Sequence, residues 1–214
     1  MKKLSILNIF VALLITFSIP CNAQEEEKLQ IGVKGGLNIS NLYLNDEAAS
    51  DMIFGYNAGV FVKKPFTAII AIQPELYVSS KGSSITYNNV FVGGTAKFNL
   101  TYLEMPVLCV AKVSKHVNFQ FGPYISYLLN SEIKNVVNNQ LFDFEKNINV
   151  NDFNRIDAGI IAGFGIEVHT VTMGARYIYG LTKVGKEQTL LGLNYRIPNA
   201  NNGIVNFYLS VSLN

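Results

Sequence analysis

The sequence predicts an all-β protein: eight antiparallel strands closing into an up-and-down transmembrane β-barrel, preceded by a signal peptide. Three observations carry that expectation. Apolar and polar side chains alternate residue by residue in eight separate segments. The connections between those segments are long and short by turns, as in barrels that cross a membrane with strands. The polar faces of the segments hold charges of both signs in balance, which suits a filled lumen.

The N-terminus has the layout of an export signal. Lys2 and Lys3 precede an apolar, uncharged run from Leu4 to Ile19, Pro20 ends it, and Cys21-Asn22-Ala23 offers small residues before Gln24. Residues 1–23 therefore read as a cleaved signal peptide and 24–214 as the barrel domain. A membrane-spanning helix needs roughly 20 apolar residues, and this run is shorter. A lipoprotein anchor at Cys21 is disfavoured because Ser18-Ile19-Pro20 lacks the small residue that normally precedes a lipidated cysteine. The flanking lysines and Glu25-Glu26-Glu27 argue against a buried core helix.

Loss of the leader removes Lys2 and Lys3, so 17 basic residues against 15 acidic become 15 against 15. A neutral chain is a poor partner for nucleic acid. Cys109 alone survives of the 2 cysteines, so the mature chain holds no intramolecular disulfide. No mature segment approaches the length of a spanning helix, and membrane residence has to come from strands.

The first segment, Gln30 to Leu42, places Ile31, Val33, Leu37 and Ile39 on one face and Gln30, Lys34, Asn38 and Ser40 on the other. The second, Gly55 to Lys63, opposes Tyr56, Ala58, Val60 and Val62 to Asn57 and Lys63, with Phe61 as an exception. In the third, Thr67 to Ser79, Ala68, Ile70, Ile72, Leu76 and Val78 oppose Gln73, Glu75, Tyr77 and Ser79. The fourth, 94–113, changes phase: Phe98, Leu100 and Tyr102 are apolar at even numbers, then Leu103, Met105, Val107 and Cys109 at odd ones. A β-bulge near Tyr102-Leu103 accounts for the slip, and Pro106 just beyond suits an irregular ladder.

The fifth segment, Val117 to Leu129, sets Val117, Phe119, Phe121, Ile125 and Tyr127 against Asn118, Gln120, Tyr124 and Ser126. The sixth, Phe153 to Val168, carries Ile156, Ala158, Ile160, Ala162, Phe164, Ile166 and Val168 opposite Arg155, Asp157, Gly159, Gly163, Gly165 and Glu167. The seventh, Val171 to Leu181, alternates Val171, Met173, Ala175, Tyr177 and Tyr179 with Thr172, Gly174, Arg176 and Gly180, Ile178 excepted. The eighth opposes Val205, Phe207, Leu209, Val211 and Leu213 to Asn206, Tyr208, Ser210 and Ser212.

Long polar connections are expected around 43–54, 80–96, 130–152 and 182–202, and short turns at Lys64-Pro65-Phe66, Ser114-Lys115-His116 and His169-Thr170. A soluble sandwich alternates too, but it does not explain ions and amides on the packed side. The inward charges are Lys34, Lys63, Glu75, Glu104, Arg155, Asp157, Glu167 and Arg176, four of each sign, and buried ions survive only when paired and hydrogen-bonded. They are expected to form a structural polar network in the lumen. Outward aromatics near strand ends, Tyr56, Phe98, Tyr102, Phe119, Tyr127, Tyr177 and Tyr179, fit interfacial girdles as well as ordinary strand preference.

The motifs GVKGGLNISNL, IQPELYVSSKG, YLEMPVL, GPYISYLL, AGIIAGFGIEV and RYIYGLTKV, in that order, resemble the small outer-membrane β-barrel porin family, including PorT-like barrels. The resemblance implies an integral protein of the outer membrane in contact with its lipid and inserted by the barrel-assembly machinery. It names a location more than an activity. Such barrels commonly end on an aromatic residue, whereas Leu213-Asn214 close this sequence and Phe207 stands upstream.

No catalytic, cofactor-binding or metal constellation emerges. His116 and His169 fall in short turns without neighbouring ligand partners, and no phosphate-binding glycine loop occurs, Gly163-Phe164-Gly165 lying within a strand. Glu75 and Glu104 face the lumen from adjacent strands as a carboxylate pair or as salt-bridge partners of Lys34 and Arg176. Asp46, Glu47 and Asp51 read as solvated loop charges, with cation binding as the alternative. The expected role is a non-catalytic barrel, structural or presenting long loops to an extracellular or envelope partner, with at most a narrow pore. The alternative is an outer-membrane hydrolase or acyltransferase with a site at the extracellular rim, for which Ser79, Ser80 and Ser83 are the available nucleophiles.

Overall fold

The computed structural model describes residues 28–44, 50–89, 92–137, 154–183 and 200–213. The expected signal peptide, residues 1–23, lies outside them. Eight long strands run β1 (Gln30–Leu44), β2 (Ile53–Pro65), β3 (Ile70–Asn89), β4 (Val92–Lys112), β5 (Val117–Val137), β6 (Ile156–Val168), β7 (Val171–Lys183) and β8 (Ala200–Ser212). Each pairs antiparallel with its neighbours in sequence, and β1 pairs with β8, so the sheet closes on itself in up-and-down order. Val33 stands opposite both Val60 and Val211, a register that keeps the outward rows of three strands level.

The direction of the alternation is that of a membrane barrel. Ile31, Val33, Leu37, Phe119, Phe121, Ile125, Phe164, Phe207 and Leu209 are exposed, while Lys34, Asn38, Glu75, Gln120, Asp157, Arg176 and Asn206 are buried. Strand closure leaves no edge around the wall, which satisfies the backbone inside hydrocarbon. No helix among the described residues is long and apolar enough to cross a membrane.

Two expectations about the strands are corrected. The segment 80–96 is not a loop: β3 continues to Asn89 and β4 starts at Val92, with ladder pairs from Ser80↔Thr101 to Asn89↔Val92. The cluster Ser79-Ser80-Lys81-Gly82-Ser83-Ser84 has turn-like composition, but a partner strand supplies its hydrogen bonds and overrides that preference. β5 likewise runs to Val137 beside β4, and a two-residue strand, Ser50–Asp51, joins the β3 side of this raised hairpin.

The irregularity expected near Tyr102 is present, but the extra residue sits on the other strand. Thr101 pairs with Asn130 and Tyr102 with Leu128, so Leu129 of β5 bulges while β4 keeps its phase. Leu100 and Tyr102 therefore point inward and are wholly buried, and Tyr102 is no part of an outward girdle. The apolar exceptions Phe61 and Ile178 are buried in the lumen as well.

At the short-turn end, β6 and β7 are joined by His169 and Thr170, with Val168 opposite Val171. His169 has φ 56°, the left-handed region where a Cβ costs roughly 1–2 kcal/mol. Its side chain is exposed, so replacement removes no packing. His169→Gly is expected to raise stability by about 0.5–1 kcal/mol, glycine's extra chain entropy offsetting part of the relieved strain. A urea midpoint in lipid vesicles checks it, and a lower midpoint than wild type counts against it.

Candidate functional site

The lumen is the place where side-chain chemistry concentrates, and it is built by the inward rows of all eight strands. Its ions fall into three groups. Nearest the short turns, Lys63 at the end of β2 pairs with the half-buried Glu167 of β6 at 2.9 Å.

The second group centres on Glu75 of β3. The Arg176 guanidinium from β7 donates to both carboxylate oxygens, each at 2.8 Å, and Lys34 Nζ from β1 donates to Oε2 at 3.0 Å. Gln73 Nε2 adds a bond to Oε1 at 2.7 Å. Arg176 Nε donates to Gln120 Oε1 at 2.7 Å, and Gln120 Nε2 donates to the Tyr208 hydroxyl at 2.7 Å. The Tyr208 ring lies under both cations, 4.8 Å from Lys34 Nζ and 4.4 Å from the guanidinium carbon. Two forked bonds to one carboxylate fix orientation as well as charge.

The third group lies nearer the long connections. Lys81 of β3, wholly buried, reaches Asp157 Oδ2 of β6 at 2.9 Å and Glu104 Oε1 of β4 at 3.1 Å, over the rings of Tyr102 and Tyr124. Asp157 also accepts from Tyr124, Thr182 and Asn202. Glu104 is poorer: it has the ion pair with Lys81, but the alignment is not that of a hydrogen bond, and neither of its oxygens accepts one. Beside these ions three asparagines interlock. Asn38 Oδ1 accepts from Asn57 and Asn206, and its Nδ2 donates to Ser79 Oγ and the Ser80 carbonyl.

Of the eight charged residues expected in the lumen, Lys34, Lys63, Glu75, Glu104, Asp157 and Arg176 are buried there and Glu167 is half-buried. Arg155 is the exception. It stands one residue before β6 begins, outside the alternation, and its exposed guanidinium donates to the outward Tyr127 hydroxyl at 3.1 Å. Lys81 takes its place among the inner cations, so the balance among the described residues stays four against four. Continuing the inward parity Gln73, Glu75, Tyr77, Ser79 by one more step finds it.

Glu75 and Glu104 do not form a carboxylate pair; each is held by its own cations. Ser79 and Ser80 are buried and engaged, Ser80 Oγ donating to Asn99 at 2.8 Å, and Ser83 is buried too. His116 and His169 are exposed at the opposite end of the barrel. Among the described residues no three His, Cys, Asp or Glu side chains converge on a metal position. Asp46 and Glu47 lie outside the described residues.

The lumen is also more apolar than expected. Leu108, Tyr124, Ile161, Ile178 and Ile204, one from each of β4 to β8, form a buried cluster beside the ions. An eight-stranded barrel has an interior that side chains can fill, and rings and branched aliphatics fill it where ions cannot pack. Inward glycines make room: a Cβ on Gly159 would strike the Tyr124 ring and one on Gly174 the Tyr208 ring. A small open polar depression lies at the short-turn end, lined in part by Gln30, Lys63, Gln73 and Ser210.

Among curated proteins none matches the sequence. The fold is similar to that of Neisserial surface protein A, with a TM-score of 0.51 at 11% identity over 87% of this chain and 100% of that one. Ail, the attachment invasion locus protein of Yersinia pestis, aligns with a TM-score of 0.46 at 11% identity, over 87% of this chain and 99% of that one. OprG of Pseudomonas aeruginosa aligns at 0.44 and 8% identity, over 86% and 91%. The family described as outer membrane protein beta-barrel domain matches residues 22–185. With a closed barrel, an apolar outer wall and that match over most of its length, the chain belongs to the outer membrane protein beta-barrel domain family.

Proposed function

We propose that this integral outer-membrane barrel is a non-catalytic, closed scaffold that presents its β3–β4 hairpin and long connections to an extracellular or envelope protein partner. Export by residues 1–23 and insertion by the barrel-assembly machinery belong to the same reading. The observation that carries it is the filled lumen: Lys81, Glu104, Leu100, Tyr102, Leu108 and Ile161 are wholly inaccessible. A channel needs a continuous wet path, and ions locked in pairs beside an apolar cluster oppose one. The buried, engaged state of Ser79 and Ser80, with both histidines at the far end, speaks against a rim hydrolase.

The purified, folded protein in planar bilayers is expected to give no steady ion current. Large, long-lived conductance steps would overturn the closed-scaffold reading. Partner binding is tested separately, by deleting residues 84–97 at the hairpin tip: the barrel should still migrate as a heat-modifiable band while capture of its partner is lost.

A further inference from the structure

Three strands hold a proline in mid-ladder that the lumen chemistry does not use. Pro74 of β3, Pro106 of β4 and Pro123 of β5 stand one each in the motifs IQPELYVSSKG, YLEMPVL and GPYISYLL. Proline has no N–H to give, so within sheets it is confined to edges, strand starts and bulges. The closed wall offers these three no edge, and none of them starts a strand.

Each proline keeps its pairing on one flank and interrupts it on the other. Pro74 pairs with Val107, Pro106 with Tyr124 and Pro123 with Ile160. On the opposite flank the ladder pauses: β2–β3 passes from Phe61↔Glu75 to Lys64↔Ile72, β3–β4 from Pro74↔Val107 to Tyr77↔Glu104, and β4–β5 from Pro106↔Tyr124 to Cys109↔Phe121. Those registers set Val62 opposite Pro74, Glu75 opposite Pro106 and Val107 opposite Pro123. The pauses lie side by side, because Val62, Pro74, Val107 and Pro123 share one row around the wall while Glu75 and Pro106 share the next. The ladders β1–β2, β5–β6, β6–β7 and β1–β8 show no such pause.

A carbonyl that faces a proline nitrogen has to find its donor elsewhere, and hydrocarbon supplies none. Water is within reach from one direction. The open polar depression at the short-turn end is lined by Phe61, Lys63 and Gln73, the chain neighbours of Val62 and Pro74. Leu108 and Tyr124, in the apolar cluster, stand beyond it and keep the opening local.

We infer that this row is a hydrated soft seam: water from the depression binds the carbonyls that the prolines leave without donors, and the ladders of β2 to β5 open there locally. β3, β4 and β5 also carry the raised hairpin, so the seam lets that sheet flex from within the wall. The seam is a property of the wall and stands whether or not the hairpin has a partner.

The test is amide hydrogen exchange and water cross-relaxation, measured by NMR on the full folded barrel in lipid nanodiscs. The controls are Ile160 and Tyr179, which continue the row of Pro123 and pair with each other. In wild type, protection at Val62, Glu75 and Val107 is expected to be about tenfold lower than at these controls, the scale of one ladder hydrogen bond. Water cross-peaks should appear at the Val62 and Lys63 amides and not at Ile160 or Tyr179. Pro123→Val supplies the missing N–H and should raise protection at Val107 by about tenfold while leaving Ile160 and Tyr179 unchanged. Should that variant fail to insert, Pro74→Val read at Val62 makes the same measurement. Protection at the three seam amides equal to that of the controls, no water contact at Val62, or a Pro123→Val change shared by every strand would each overturn the inference.

Discussion

Glu75→Gln is expected to lower the folding stability of the barrel by about 3–5 kcal/mol, the range for breaking a buried ion pair by removing one partner. The reason is arithmetic of charge. Glu75 is the single anion bound by both Lys34 and Arg176, at 3.0 Å and 2.8 Å. Take its charge away and two cations remain in a space where side-chain exposure is 2% or less. Glutamine keeps the shape but must present an NH2 group to donors already aimed at it. The converse change is milder, since Arg176→Met leaves Glu75 with Lys34 and Gln73. Joining the two substitutions should therefore recover part of the loss, which a double-mutant cycle in urea, read by circular dichroism in vesicles, would register as coupling. A Glu75→Gln protein within about 0.5 kcal/mol of wild type, the scatter of an ordinary surface substitution, would show that this group does not hold the lumen together.

How far the lumen can be read from sequence follows from what alternation encodes. A period of two tells which face a residue occupies, and on that ground Lys34, Glu75, Asp157 and Arg176 are assigned to the interior, where they are buried. It does not tell where a strand stops. Lys81 is hidden because the serines and glycine around it resemble a turn, and only the ladder with β4 shows that the strand continues. Arg155 errs the other way: parity places it inside, but alternation has no meaning one residue beyond the strand's end.

The apolar lumen cluster is missed for a third reason. Ile161, Ile178 and Leu108 break the alternation, and a break looks like noise when each strand is read by itself. Their convergence from consecutive strands is a property of closure, which brings Leu108, Ile161, Ile178 and Ile204 into one contact set with the inward Tyr124. The β5 bulge at Leu129 is similar. A change of phase along β4 suggests a slip in that strand, whereas its apolar residues Leu100 and Tyr102 are lumen filling, and the irregularity belongs to the partner.

Closure also makes the third ion group asymmetric, and the asymmetry gives opposite expectations for its members. Lys81 is the one cation that balances Glu104 and Asp157, at 3.1 Å and 2.9 Å, so Lys81→Met should leave two buried carboxylates facing each other and cost about 3–5 kcal/mol. Glu104→Gln should cost little, about 1 kcal/mol or less, because the Glu104 oxygens accept no hydrogen bond and Lys81 keeps its bond to Asp157. Asp157→Asn should fall with Lys81→Met and not with Glu104→Gln, since Tyr124, Thr182 and Asn202 all converge on that carboxylate. Urea unfolding of the three variants in the same vesicles ranks them directly. If Glu104→Gln proved as damaging as Lys81→Met, the two carboxylates would be equal partners of the lysine, and the distinction drawn from hydrogen-bond geometry would fail.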